Sequence, residues 1–286
     1  MWIVQPVVNF DSVPANGYAW FVAKGPPDLG TPYAGGAIYY RRLQWSGTNA
    51  AMDTNWFIVT NSSVNYRDYY DLDGTNIMEI PAAGAGVNAP QTNGLPIDLH
   101  ETGSRLASTM IRSGFLWTCQ AIGLSATNGL YSGDQSGASV NRTGVQWVKL
   151  GVDATNGSLS YSAHLRVFDR NLSTPLYYYF PSLMVNGAGD MVMGFSGSSV
   201  TNYISAYATW RLSNGSTLEA PRLIRPGLTN YVAPTPLRFG DYSATTLDPA
   251  DDRSFWTVQQ YADPAGANLL GNFRWKTVIT NLRPAP

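Results

Sequence analysis

The chain has 286 residues, 18 Lys and Arg against 19 Asp and Glu, a net charge of -1 and a pI near 6.1, so it carries no basic footprint for nucleic acid. Charged residues make up only 13% and aromatics another 13%, with nine Trp and seventeen Tyr; with scarce Lys and Glu this is an all-β composition rather than a helical one. No apolar run approaches the roughly 20 residues needed to cross a bilayer as a helix, which excludes membrane insertion by that route.

The start, Met1-Trp-Ile-Val-Gln-Pro6, lacks the charged head and long apolar stretch of a signal peptide. The composition is nonetheless that of a secreted or cell-surface protein. The expectation is a trimmed leader or a reading frame that begins inside a longer parent.

In chain order, the first unit spans about 2 to 62. It reads as a short strand from Val4, a turn ending at Gly17, an aromatic strand Tyr18-Ala-Trp-Phe-Val22, a third strand over 37 to 43 and a fourth over 55 to 60. A Gly/Pro-rich loop at 25 to 36 is long for a hairpin. From about 63 to 96 the pattern lapses into either an irregular insertion or a degenerate fifth unit.

The second unit, about 99 to 169, repeats the figure. It has a first strand over 104 to 111, a turn at Arg112-Ser-Gly114, then Phe115-Leu-Trp-Thr-Cys119, a third strand over 145 to 151 and a fourth over 159 to 168. A Gly/Ser/Asn-rich excursion occupies 125 to 143. The third unit, about 177 to 226, is the most regular, with strands over 179 to 186, 191 to 195, 203 to 211 and 218 to 224. The last, from 234, has strands over 241 to 247, 254 to 261 and 273 to 280, joined first by Asp248-Pro-Ala-Asp251, and lacks an obvious fourth. The extended Trp2-Ile-Val-Gln5 is available to complete it.

Repeated groups of four antiparallel strands are the sequence signature of a β-propeller, because one blade cannot bury both of its faces alone. The reading is a single domain over 1 to 286, an all-β propeller of four, or with a degenerate one five, four-stranded antiparallel blades.

In such a ring the first strands line the axis and the loops ahead of them form a funnel. Aligning the first strands puts Arg105 and Asp241 at comparable positions, with Tyr179 and Val4 or Gln5 at the others. Arg105 and Asp241 read either as an anion-clamping guanidinium beside a carboxylate base, or as an ion pair plugging the axis. Asp98, His100 and Glu101 supply three acid/base or ligand groups within four residues of a chain with only two histidines, unless they belong to a solvated loop. His164 reads as a satisfied residue of a strand. Asp68, Asp71, Asp73 and Asn76 offer oxygens to a hard cation, calcium first, though not at EF-hand spacing. The lone Cys119 reads as a buried small hydrophobe. No P-loop, dinucleotide fingerprint, Gly-x-Ser-x-Gly elbow or His-Glu-x-x-His pair is present.

Tyr179-Phe-Pro-Ser-Leu-Met-Val-Asn186 with Gly189 to Ser196, Ile204 to Arg211, and Phe239-Gly-Asp-Tyr-Ser-Ala-Thr-Thr-Leu-Asp-Pro249 with Phe255-Trp256 and Gln260-Tyr261 resemble a widespread group of bacterial secreted and cell-surface β-propeller proteins, distantly sialidase-like. The resemblance covers about 100 to 280 well and the first hundred residues weakly. It implies architecture and an extracellular setting, not a reaction. A Glu often stands in that group where this chain has Gln260, which removes one carboxylate here.

Two functions are carried forward from the sequence. One is a hydrolase whose funnel cuts an ester, phosphoester or glycosidic bond. Its catalytic groups are Asp241, Glu101, His100 and Arg105, its substrate contacts Tyr179 and Gln5, and its divalent-cation ligands Asp98, Asp71 and Asp73. The other is a non-catalytic module that binds glycan or protein through its aromatic loops. A small-molecule or saccharide partner fits both, and the chain can also pair with a copy of itself.

Overall fold

The computed structural model describes residues 4–12, 17–24, 38–59, 88–99, 106–125, 140–234, 237–240, 242–268 and 272–285. These form 17 strands in four sheets, with no α-helix among the described residues.

The first sheet holds β1 (Val4–Pro6), β3 (Tyr18–Lys24) and β4 (Ile38–Ser46), with β5 (Asn49–Met52) and β6 (Phe57–Ile58) both paired to β4. β1 runs antiparallel to β3, placing Gln5 opposite Val22. Val4 and Gln5 therefore belong to the first sheet and do not complete the last one. The chain then crosses: β2 (Val8–Asn9) lies parallel to β7 (Ala107–Arg112) of the second sheet.

The second sheet continues through β8 (Phe115–Ser125), β9 (Val140–Val152) and β10 (Leu159–Val167) as an antiparallel meander. The third is the meander β11 (Tyr177–Val185), β12 (Met191–Ser199), β13 (Asn202–Arg211) and β14 (Arg222–Arg225). The fourth has three strands, β15 (Ala244–Leu247), β16 (Phe255–Ala262) and β17 (Trp275–Leu282), with a 3-10 turn at Pro264–Gly266.

Period-two side chains decide how the sheets stack. On β8 and β9, Leu116, Ile122, Val148 and Leu150 meet Trp20, Val22, Ile38 and Tyr40 of the first sheet. The alternate residues Trp117, Cys119, Val145 and Trp147 meet Leu183, Met191, Met193 and Phe195 of the third. A sheet buried on both faces reads as nearly continuous apolar sequence, which is why Phe115 to Cys119 lacks an obvious polar side.

The third and fourth sheets meet differently, through buried hydroxyls and an amide. Ser182 Oγ lies 2.8 Å from Thr245 Oγ1, and the Gln259 amide donates to Ser182 Oγ at 3.0 Å and to Thr257 Oγ1 at 2.8 Å. Gly194 is the counterpart that leaves room for this amide: a Cβ there would lie 2.2 Å from Gln259 Nε2. The hydroxyls and the amide nitrogen satisfy one another, which offsets most of the cost of burying them, while the Gln259 amide oxygen is left without a partner among the described residues.

Cys119 is buried, as its apolar surroundings in the sequence lead one to expect, with Sγ 3.4 Å from the Ala107 carbonyl. His164 sits on β10 with its Nδ1 2.9 Å from the Tyr161 hydroxyl.

Candidate functional site

Two places gather side chains and loops from several sheets, at the two ends of β7, β11 and β15. The first is built around Arg112, the last residue of β7. Its guanidinium pairs with the Asp252 carboxylate from the turn of the fourth sheet, donates to the Phe10 carbonyl at 3.4 Å, and lies over the Phe10 ring. A Cβ on Gly187, in the turn after β11, would collide with both members of the ion pair. Beside them Asp11 accepts the Ser113 and Gly114 backbone N–H groups, each at 2.7 Å. Segments belonging to the second, third and fourth sheets thus converge on one guanidinium.

The second place lies at the opposite ends of the same strands, at the start of β11 and ahead of β15. Residues 88–99 form a loop closed by the Ala89–Ile97 bridge, and it packs with 228–234 and 237–240 on β11. Buried Gln91 clamps them together: its amide donates to the Leu95 and Tyr231 carbonyls at 2.8 and 3.0 Å, and its oxygen accepts Tyr231 N–H at 2.7 Å. Asp98 N–H donates to the Leu237 carbonyl at 2.8 Å, so the segment leading toward β7 and the segment leading toward β15 are hydrogen-bonded neighbours.

β7 and β11 carry the same irregularity. Each has a bulge, between Ala107 and Met110 and between Tyr179 and Ser182, and each places its next residue in the left-handed region: Ser108 at φ 51° and Phe180 at φ 52°. The bulges make Ala107 the counterpart of Tyr179. Aligning the two first strands by eye with Arg105 at the position of Tyr179 is therefore two residues out of step. Gly240, at φ 80°, faces the Phe180 ring, and Ser243 Oγ donates to the Phe180 carbonyl at 2.8 Å, so the fourth sheet is tied to the third at this bulge.

Of the residues expected to act, Asp241, Glu101, His100, Arg105, Asp71 and Asp73 lie outside the described residues. Asp98 is half-buried in the 88–99 loop. Gln5 is half-buried on β1, opposite Val22. Tyr179 has no exposed surface: its hydroxyl donates to Ser198 Oγ at 2.9 Å, and burial pushes its pKa upward. A ligand reaches that phenol only if the packing around it opens. Among the described residues no three His, Cys, Asp or Glu side chains gather as a metal site.

The Arg112 cluster was not anticipated from the sequence. An Arg–Asp pair across the inner strands was, but at other positions; Asp252 read only as a turn former, a role its neighbours Asp248 and Asp251 do fill by accepting N–H bonds from Ala250, and from Arg253 and Ser254.

No protein-family model matches the chain, and no curated protein does. A crystal structure of a protein of unknown function from Dyadobacter fermentans DSM 18053 is similar to it, at a TM-score of 0.41 and 15% sequence identity. That match covers 97% of this chain and 60% of the other, so this chain spans about three fifths of its length.

Proposed function

We propose that the four sheets are blades of a β-propeller, alone or with a degenerate fifth, and that the end holding 88–99 and 237–240 is the funnel of a secreted or cell-surface hydrolase. The bond cut is an ester, phosphoester or glycosidic one. Asp241 and Glu101 serve as base or cation ligand, His100 as proton shuttle or ligand, and Arg105 as anion clamp. A divalent cation, calcium first, would be held by carboxylates from Asp98, Asp71 and Asp73 and would polarise the substrate or activate water. Gln5 enters as a substrate contact, and Tyr179 as support beneath the site.

The observation that supports this reading is the Asp98–Leu237 backbone hydrogen bond. His100 and Glu101 follow Asp98 by two and three residues, and Asp241 follows Leu237 by four. Side chains this scarce in the chain are thus attached to two segments in direct contact.

The test is a panel of chromogenic esters, phosphoesters and glycosides, with and without calcium, zinc or manganese. Turnover is expected to fall by about 100-fold or more in Asp241→Ala and Glu101→Ala. Absence of turnover across the panel overturns the hydrolase reading; turnover unchanged in both variants overturns the residue assignment.

A second reading, a glycan- or protein-binding module, draws on aromatic exposure. Tyr242 is 82% exposed beside Asp241, and Trp256 and Trp275 are partly exposed on the last sheet. Such rings suit stacking on sugars. Glycan-array binding that is lost in Tyr242→Ala, with no turnover in the panel, selects this reading.

A further inference from the structure

The seam between the second and third sheets carries a set of donors with no acceptor among the described residues. On β8 and β9, Phe115, Trp117, Trp147 and Lys149 point toward the third sheet, with Trp117 directly across from Lys149 and Cys119 across from Trp147. The two indole rings pack at 5.4 Å and 41°. Lys149 Nζ lies 3.6 Å from the Phe115 ring centre and 4.9 Å from that of Trp117. From β13, Arg211 brings its guanidinium carbon to 5.9 Å from the Trp147 ring.

The two cations are close enough to feel each other. Burial first, and then the charge of Arg211, lowers the Lys149 pKa. Neither forms a salt bridge or a hydrogen bond among the described residues. Cation–π contact offsets part of the cost of bringing like charges together, but rings bring no negative charge. Beneath them Trp117 and Trp147 are 3% and 2% exposed, and neither indole N–H has an acceptor. A buried donor without a partner is costly, and two of them under two unpaired cations point the same way.

We propose that the Lys149–Arg211 pair is a binding site for an oxyanion, the carboxylate, sulfate or phosphate group of a small ligand. Arg211 supplies a planar fork and Lys149 a point charge, the combination that suits such a group. Both side chains are half-buried, so an ion reaches them from solvent without unfolding the seam. The site is separate from the funnel: Phe115 adjoins the Ser113–Gly114 turn, at the other end of the inner strands from Asp98 and Leu237.

The test is an NMR titration of the nitrogen-15-labelled full chain, whose nine tryptophans give a small set of indole N–H signals. Inorganic phosphate, sulfate, acetate and glucuronate are added in turn at constant ionic strength, with chloride as the control. Saturable shifts confined to the Trp117 and Trp147 signals, assigned with Trp117→Phe and Trp147→Phe, are expected with at least one oxyanion and not with chloride. The four arms separate carboxylate from sulfate and phosphate. Lys149→Met and Arg211→Met should each weaken that binding by about tenfold or more. No saturable shift with any of the four, shifts spread evenly over the indoles, or unchanged affinity in both variants overturns the site. Where a Met variant does not fold, the wild-type titration decides: the exposed Trp45 and Trp256 must stay still while Trp117 and Trp147 move.

Discussion

Arg112 and Asp252, 140 residues apart in the chain, form an ion pair that ties the second sheet to the fourth across the end of the third. The partners are unequal. The Arg112 side chain is 14% exposed and also holds the Phe10 carbonyl and ring, whereas Asp252 is 49% exposed. Water screens the charge of Asp252, so the ion pair alone contributes little, and most of what Arg112 supplies is packing and its bond to the segment that follows β2. Arg112→Ala is expected to cost about 1–2 kcal/mol and Asp252→Ala less than about 1 kcal/mol, measured by urea unfolding. Equal costs, or a larger one for Asp252→Ala, would show that the charge pair itself holds the sheets.

Phe180 gives a reversal of the usual order of small residues. In an ordinary strand Ala is favoured over Gly, because Gly loses more freedom on folding. At φ 52° the backbone of Phe180 sits where a Cβ is strained and Gly is not. Both substitutions remove the ring from its contacts with Tyr179 and Gly240 and so lose stability. Phe180→Gly should nonetheless be more stable than Phe180→Ala by about 1 kcal/mol. If Ala is the better of the two, the left-handed bulge is not maintained in solution.

How far the sequence leads is visible at particular strands. Apolar alternation in Phe255 to Tyr261 marks β16 closely, since one of its faces is buried, whereas β12, buried along its whole length, runs on to Ser199, past the 191 to 195 that its apolar residues suggest. β8 and β9 run well beyond the 115 to 119 and 145 to 151 that their apolar residues suggest. They continue to Ser125 and back from Val140, because Gln120, Thr143 and Gln146 are buried there, and polar residues hide a strand from a hydrophobic pattern. The offset between Ala107 and Tyr179 was illegible for a related reason: a bulge adds a residue without changing composition. Of the proposed site, the sequence offered residue types and an order along the chain. It offered nothing on the Gln91 clamp or the Asp98–Leu237 bond, which join segments about 140 residues apart and whose partners, Tyr231 in the one and both residues in the other, use backbone groups that every residue possesses.

The polar seam between the third and fourth sheets should be intolerant of volume. Gly194→Ala drives a Cβ to 2.2 Å from Gln259 Nε2 and 2.5 Å from Thr257 Oγ1. The amide is the end of a side chain and can retreat only by giving up its bonds to Ser182 and Thr257. A loss of about 1–3 kcal/mol is expected. Gln259→Ala removes the nearer of the two obstacles and frees Thr257 Oγ1 from its bond to the amide, so the double variant should be less destabilised than the sum of the single ones. Additive losses in urea unfolding would mean that Gly194 is needed for its backbone and not for the space it leaves.

Buried acids set the alkaline limit of the fold. Burial raises the pKa of the Cys119 thiol and of the Tyr178 and Tyr179 phenols, with bonds to Ser108 and Ser198 only partly opposing it at Cys119 and Tyr179. The folded chain therefore holds these protons more tightly than the unfolded chain does. Their contribution is complete below the ordinary pKa of each group and is lost as pH rises above it. Stability should begin to fall above a pH of about 8.5 through Cys119 and more steeply above about 10 through the tyrosines, at up to about 1.4 kcal/mol per pH unit for each group. Urea midpoints measured from neutral pH upward test this. Cys119→Ala should remove the first slope, and Tyr179→Phe should reduce the second. The same burial predicts that Cys119 is inert to iodoacetamide in the folded protein and reacts at the rate of unfolding. Fast labelling at neutral pH, or a first slope that survives Cys119→Ala, would place the thiol nearer solvent than the packing of β8 between the first and third sheets allows.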